Sequence, residues 1–348
     1  MIAMTDHRSV QRRRNDFLNA DGRGAGGQMY AHFIEFWRHT MHCQWKNRGQ
    51  GFIKLFVRML AFLSVSVGLT HQSVLADENL IRSLSAATVI ELNFIWDHDS
   101  PLMNLNPPYA LALVNSHKQT NGMIKDISFA ADMMYFSGQH GAPNLDALGH
   151  IGHNGKLYGG LDAAASESSD GLLELGIEHY PKERFVNRGV LLDVARFKNV
   201  DALGPGEEIS GETLEATARA QGVEIRTGDS VLIRTGYGQY FDSNKAKYMG
   251  PRPGPGASAA QWLAEKRVFL TGDDQLTYEV YPEQGTIFPA HRILLADSGI
   301  YIVENMNLEE LAKVLAERNT YEFALVLNPP RIRGATGAAV NAFAVVPR

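Results

Sequence analysis

Cysteine is almost missing from this sequence of 348 residues: Cys43 is the only one. It falls before a cleavage point expected after Ala76, so the mature chain would carry none, which excludes disulfides, thiolate nucleophiles and cysteine-ligated zinc. An excess of positive charge is lacking too. Lys plus Arg number 33 against 38 Asp plus Glu, a formal net charge of -5, and no basic stripe interleaved with aromatics provides an electrostatic footprint for nucleic acid. A nucleic-acid partner is therefore not expected. No Gly-x-Ser-x-Gly elbow occurs, Ser137 standing before Gly-Gln-His instead, which argues against a serine hydrolase. Repeats and low-complexity linkers are absent as well. With 45% hydrophobic and 20% charged residues, the composition is that of an ordinary folded protein.

Long apolar runs are scarce: there is one, Phe52 to Leu69, accompanied by Lys46, Arg48, Lys54 and Arg58. Its uninterrupted part, Met59 to Leu69, is short against the roughly 20 residues that cross a bilayer and fits a signal h-region of about 7 to 15. Val74 and Ala76 then place small residues before Asp77. The expected organisation is residues 1–45 as a non-structural upstream extension, 46–76 as a signal peptide and 77–348 as one domain. The mature protein would be periplasmic or secreted, meeting a membrane only during export. An uncleaved anchor is the alternative, weakened by Ser64, Ser66 and Thr70 within the run.

From Asp77 onward apolar runs alternate with helical patterns, the signature of a mixed α/β domain. Arg188–Asp193, Asp229–Thr235, Arg267–Thr271, Ile300–Val303, Phe323–Leu327 and Val340–Val346 read as strands. Ser210–Gln221 reads as a helix capped by Ser210 and stopped by Gly222. Asn307–Arg318 is an amphipathic helix with Leu308, Leu311, Ala312 and Leu315 on one face. The Pro- and Gly-rich run from 249 to 258 reads as irregular chain, either a loop over a site or a long connection.

Seven histidines lie in the mature region, at 98, 117, 140, 150, 153, 179 and 291. His140, Asp146 and His150 fall together in a segment rich in Gly, Pro and Asn. Neutral imidazole with carboxylate, converging from a rigid turn, suits Zn, Mn or Fe. The same three residues equally suit a solvated turn.

These residues also carry a family resemblance. His140, Asp146 and His150 stand at the intervals of the His-x-Gly-Thr-His-x-Asp motif, with a His four residues after the Asp, of the cyclase family, whose best-known members are the bacterial kynurenine formamidases. Asp229–Tyr237 resembles that family's central strand, Gly272–Asp274 its Gly-x-Asp turn, His291–Leu308 its downstream metal segment, and Arg331–Gly337 its closing motif. The resemblance implies a single mixed β/β/α domain of the swivelling type. It implies that His140, Asp146, His291 and Glu304 bind one or two divalent ions, Zn or Mn, with His150 as acid/base. It further implies a homo-oligomer, and hydrolysis of formamides or cyclic amides, so that a small and aromatic amide is the expected substrate. Phe94, Trp96, Tyr135 and Phe136 are available to line a pocket for it.

One position departs from the pattern. Where the family has its second ligating His, this chain has Asn144, preceded by Ala142-Pro143 instead of Gly-Thr. Either Asn144 ligates through its amide oxygen, or one ion binds, or His150 or His153 fills the place, or activity is lost. The first three lead to a metal-dependent amidohydrolase of arylformamidase type, or a lactone or lactam hydrolase of the same fold. The last leads to an exported protein that binds a small carbonyl compound without turning it over.

Overall fold

Four strands whose apolar runs are continuous rather than alternating form the middle of the structure, a computed structural model that describes residues 80–348 except 96, 102–108, 136, 139–140 and 283–284. The expected extension and signal peptide, together with His140, Trp96 and Phe136, lie outside the described residues. In chain order the sheet strands are β1 (Thr88–Glu91), β2 (Asn144–Asp146), β3 (Val186–Asp193), β4 (Ser230–Arg234), β5 (Leu270–Asp273), β6 (Tyr301–Glu304), β7 (Glu322–Asn328), β8 (Gly337–Ala339) and β9 (Asn341–Val346). Strands β3, β4, β5 and β6 run parallel to one another. Apolar residues on both sides of a strand require cover on both sides, which is the environment of a parallel sheet.

The spatial order is β1-β9-β7-β3-β4-β5-β6-β2-β8, with antiparallel pairing on both flanks of the parallel centre. Strands β8 and β9 are separated only by Val340, yet β8 is one edge of this order and β9 lies next to the strand at the other edge. The nine-stranded sheet must therefore curl until its ends approach one another. Val340 secures that junction by donating its amide to Pro143 O at 3.1 Å.

Three longer helices are α1 (Gly211–Gln221), α2 (Ala257–Lys266) and α3 (Glu309–Glu317). Helix α1 begins and ends where its sequence dictates: Ser210 Oγ accepts the Thr213 amide at 3.1 Å, and Gly222 takes the left-handed φ of 67° that ends the helix. Helix α3 buries Leu311, Ala312 and Leu315 and α2 buries Ala259, Ala260 and Leu263. Both stripes join the main core with Leu191, Leu232 and Leu270 of the parallel strands.

Two sequence expectations are shifted. The strand expected from Arg267 begins at Leu270, because Arg267 has a φ of 55° and closes α2. The run from 249 to 258 is not an open loop: Arg252 to Gly256 are buried, Gly254–Pro255 pairs in parallel with Glu208–Ile209, and α2 starts at Ala257. Glycine is required at 254, where a Cβ would lie 2.5 Å from Tyr278 O.

Among the described residues no helix is long and apolar enough to cross a membrane. Leu232, fully buried in β4, reports on the core. Leu232→Ala is expected to cost about 2–5 kcal/mol, seen as a lower denaturant midpoint with unchanged slope.

Candidate metal centre

The site is made by strand register. Pairing of β2 with β6 sets Asp146 opposite Ile302, Leu145 opposite Val303 and Asn144 opposite Glu304. Side chains alternate between sheet faces, so Asn144, Asp146 and Glu304 share one face while Leu145 and Val303 go to the other. Residues 160 positions apart are thus adjacent: Asn144 Nδ2 donates to Glu304 Oε2 at 3.3 Å.

His291 comes from the short turn Pro289–His291, continued by a wide π-type turn, Arg292–Ser298, that Gly299 ends at φ 68°. Its Nε2 lies 3.2 Å from Glu304 Oε1 and 3.3 Å from Asp146 Oδ2. On the other side of the ring, Nδ1 is 2.5 Å from Glu279 Oε1, while Glu279 Oε2 accepts the Ala290 amide at 2.6 Å. A carboxylate behind an imidazole fixes its orientation and tautomer and raises its basicity as a ligand. Glu279 is therefore the residue that aims His291 at Asp146 and Glu304.

Asp146 is 1% exposed, His291 4% and Glu304 6%. Burial raises the Glu304 pKa, and the charge of Asp146 raises it further against the opposing pull of His291. For His291, burial works against the charged form, but the neighbouring carboxylates Asp146, Glu279 and Glu304 outweigh it and hold the pKa well above the ordinary value. Both carboxylate oxygens of Asp146 are buried without a hydrogen-bond partner, the Nε2 contact lacking hydrogen-bond geometry. A buried carboxylate left in that condition is costly.

One ligand atom from each of Asp146, His291 and Glu304 lies within 4.8 Å of the others. Two carboxylates and an imidazole converging in this way fit a divalent cation, and the uncompensated Asp146 oxygens are the atoms such an ion would satisfy.

Asn144 is fully buried in the same row, with its Oδ1 accepting from Asn305 Nδ2 at 2.9 Å. Asn305 Oδ1 in turn accepts from Tyr248 Oη at 2.8 Å. In this arrangement Asn144 turns an N–H, not a lone pair, toward Glu304. His150 is partly buried next to the triad, its ring 6.4 Å from that of His291 and inclined at 65°. His153 is engaged at the surface, with Nδ1 2.8 Å from Asp297 Oδ1.

Of the aromatics considered from sequence, Phe94 stacks on Phe241 with centroids 4.1 Å apart, and Tyr135 is exposed on a separate β-ribbon. The aromatic ring nearest His291 is Phe288, at 5.5 Å. Sequence reading missed Phe288, Asn305, Tyr248 and Glu279. Glu279 had a signal, since it is a charged residue inside the otherwise uncharged run from Gln275 to Tyr281.

With this geometry in hand, comparison with known proteins settles the class. The Cyclase family model matches residues 69–280, and a crystal structure described as a novel cyclase is 31% identical over 76% of this chain and 89% of its own, with a TM-score of 0.69. The chain belongs to the cyclase family, and its fold is that family's mixed α/β domain. Isatin hydrolase A from Labrenzia aggregata, bound to benzyl benzoate, shares the fold at 18% identity, covering 78% of this chain and 100% of its own, with a TM-score of 0.61. A structure described as a potential metal-dependent hydrolase with cyclase activity shares it at 16% identity, 76% and 100% coverage and a TM-score of 0.51. No curated protein matched the sequence.

Two outcomes test the site. Asp146→Asn is expected to stabilise the metal-free protein by about 0.5–2 kcal/mol, since it removes a buried charge that accepts no hydrogen bond and repels Glu304. It should also abolish the thermal stabilisation that added Zn or Mn gives the unsubstituted chain, about 2.7 kcal/mol at a hundredfold excess over Kd. Melting curves with and without metal decide it, and an unchanged metal response would remove Asp146 from the ligand set. Glu279→Gln is expected to weaken metal binding about 10- to 100-fold by titration calorimetry.

Proposed function

We propose that this chain is a metal-dependent hydrolase that cleaves a carbon–nitrogen bond in a small carbonyl compound: an amide, a formamide or a cyclic amide, in the manner of an arylformamidase. The observation that carries this reading is the buried carboxylate of Asp146, which accepts no hydrogen bond, converging with His291 and Glu304. The names of its structural neighbours, isatin hydrolases and metal-dependent hydrolases, support the same class.

Asp146, His291 and Glu304 would hold the cation, with His140 and Asn144 as the family pattern's further positions. A divalent ion there, Zn or Mn, supplies a lowered pKa for a water and polarisation of a carbonyl. The protein's own residues do the rest. Glu279, against Nδ1, fixes the ring so that Nε2 faces Asp146 and Glu304, the atom that would meet the cation. His150 is close to the triad yet separate from it, the place for a group that takes a proton from attacking water and returns it to the departing nitrogen. No covalent bond to the protein is needed. Phe288, with its ring 5.5 Å from that of His291, would supply apolar ring surface for an aromatic substrate. Release of such a mature enzyme to a periplasm or medium would expose it to amides other than cytoplasmic metabolites.

A second reading is favoured by Asn144. Its amide satisfies Glu304 where the family has an imidazole, as in a protein that retains the cleft for binding alone. Metal-loaded protein assayed with N-formylkynurenine and isatin separates the two. His150→Ala is expected to lower turnover by about 10²- to 10⁴-fold with bound metal unchanged, whereas His291→Ala loses both. Equal metal loss in both variants would place His150 among the ligands. Stoichiometric metal with no turnover of any amide, lactam or lactone would establish the binder.

A further inference from the structure

His150 reaches the metal centre from one piece of chain and His291 from another, and a polar contact outside the buried centre joins the two pieces. The first piece follows β2. After Asp146 the chain turns, with the His150 amide donating to Ala147 O at 2.9 Å, and it turns back again between 153 and 156. There His153 N donates to Lys156 O at 2.8 Å and Lys156 N returns a bond to His153 O at 3.0 Å. Asn154 and Gly155 between them have φ of 51° and 71°, positive at both central residues as a type I′ turn requires. His153 is therefore carried by a defined turn, three residues beyond His150.

The second piece is the wide turn Arg292–Ser298, which continues directly from His291. Asp297 stands near its end. A carboxylate at the C-terminal end of a helical stretch faces the negative pole of the helix dipole, so the turn itself gains nothing from it. Its partner supplies the reason. His153 Nδ1 lies 2.8 Å from Asp297 Oδ1 and 3.1 Å from Oδ2, across 144 positions of sequence. Asn154 Nδ2 lies 3.1 Å from Nε2 of the same ring, so the imidazole is oriented from both sides. An apolar contact accompanies this one: Tyr158 covers Gly299, where a Cβ would lie 2.4 Å from Tyr158 Cζ. The segment from 150 to 158 is thus fastened onto the turn that begins at His291.

We infer that His153 and Asp297 are positioning residues whose contact sets the His150 ring in its place beside His291; this rests on the proton-transfer role proposed for His150. Neither belongs to the buried group of Asp146, His291 and Glu304. Their side chains are 30% and 45% exposed, and a pair so placed adds little to global stability. What it adds is geometry. A proton-transfer group must lie within hydrogen-bond reach of the atoms it serves, and a misplacement of about 1 Å costs a reaction about 100-fold. Strands β6 and β8 hold the Asp146 end of the segment, and the His153 contact holds it again beyond His150. The imidazole therefore lies between two fixed points.

Kinetics with N-formylkynurenine and isatin, and amide hydrogen exchange, test this on metal-loaded protein carrying His153→Ala, Asp297→Ala, both together, or His153→Asn. Each single alanine variant is expected to lower kcat about 5- to 100-fold, with KM and bound metal unchanged. The double variant is expected to be no worse than either single, as for two residues acting through one contact. Asn offers an N–H close to the position of Nδ1, so His153→Asn is expected to recover most of the loss. Amides from Gly149 to Leu157 are expected to exchange about two- to fivefold faster in the alanine variants. Unchanged kcat in the singles, additive losses in the double, metal loss in step with kcat, or His153→Asn no better than His153→Ala would each overturn the inference. If the unsubstituted protein turns over neither compound, the role of His150 fails for them, and exchange alone decides the contact: faster exchange upholds the fastening, and unchanged exchange overturns it.

Discussion

Two carboxylates and an imidazole, all more than nine-tenths buried, share one face of the sheet, and this concentration of desolvated charge is the constraint to which the surrounding structure answers. Carboxylates brought together in a medium of low dielectric repel one another and lose hydration. His291 offsets part of that cost, and Glu279 behind it adds a further negative charge. The two oxygens of Asp146 remain uncompensated. A folded protein tolerates such a local deficit where binding, rather than folding, is served by it.

The rest of the fold keeps the groups from relaxing apart. Asp146 is in the middle of its sheet neighbourhood, with β6 on one side and β8 on the other, so its backbone cannot move without breaking two ladders. Glu304 ends a parallel strand whose other residues are buried. His291 is fixed by the Glu279 contacts and by the wide turn that follows it. The curl of the sheet, forced by a single residue between β8 and β9, brings the last strands of the chain against the β2 strand that carries Asn144 and Asp146. Candidate ligands that are remote in sequence therefore share one rigid frame, as a preorganised site requires.

Much of the frame was legible in the sequence, and the reason is local. Continuous apolar runs gave the parallel strands, and Ser210 and Gly222 gave both ends of α1. The positions of His291, Asp146 and Glu304 were legible through their match to a family pattern. Their burial was not, because Glu304 at a strand end and His291 after Pro289 each fit an exposed position equally well. Only strand register decides the matter, and register is a long-range property. The packing of residues 252 to 256 was illegible for a similar reason: prolines and glycines forbid helix but say nothing about whether another backbone approaches, and here Tyr278 O does. Glu279, Asn305 and Tyr248 act through partners that sequence spacing does not reveal.

The direction of hydrogen bonding through Asn144 bears on how many ions the centre holds. Glu304, if ionised, can only accept, so the amide of Asn144 must turn its nitrogen that way. Its oxygen then faces Asn305, whose own oxygen faces the Tyr248 hydroxyl. What Asn144 presents to Glu304 is therefore its nitrogen, which has no lone pair for a cation. An imidazole at the same position could offer a lone pair to an ion. Among the described residues, Asp146, His291 and Glu304 are the buried group whose ligand atoms converge closely enough for a cation.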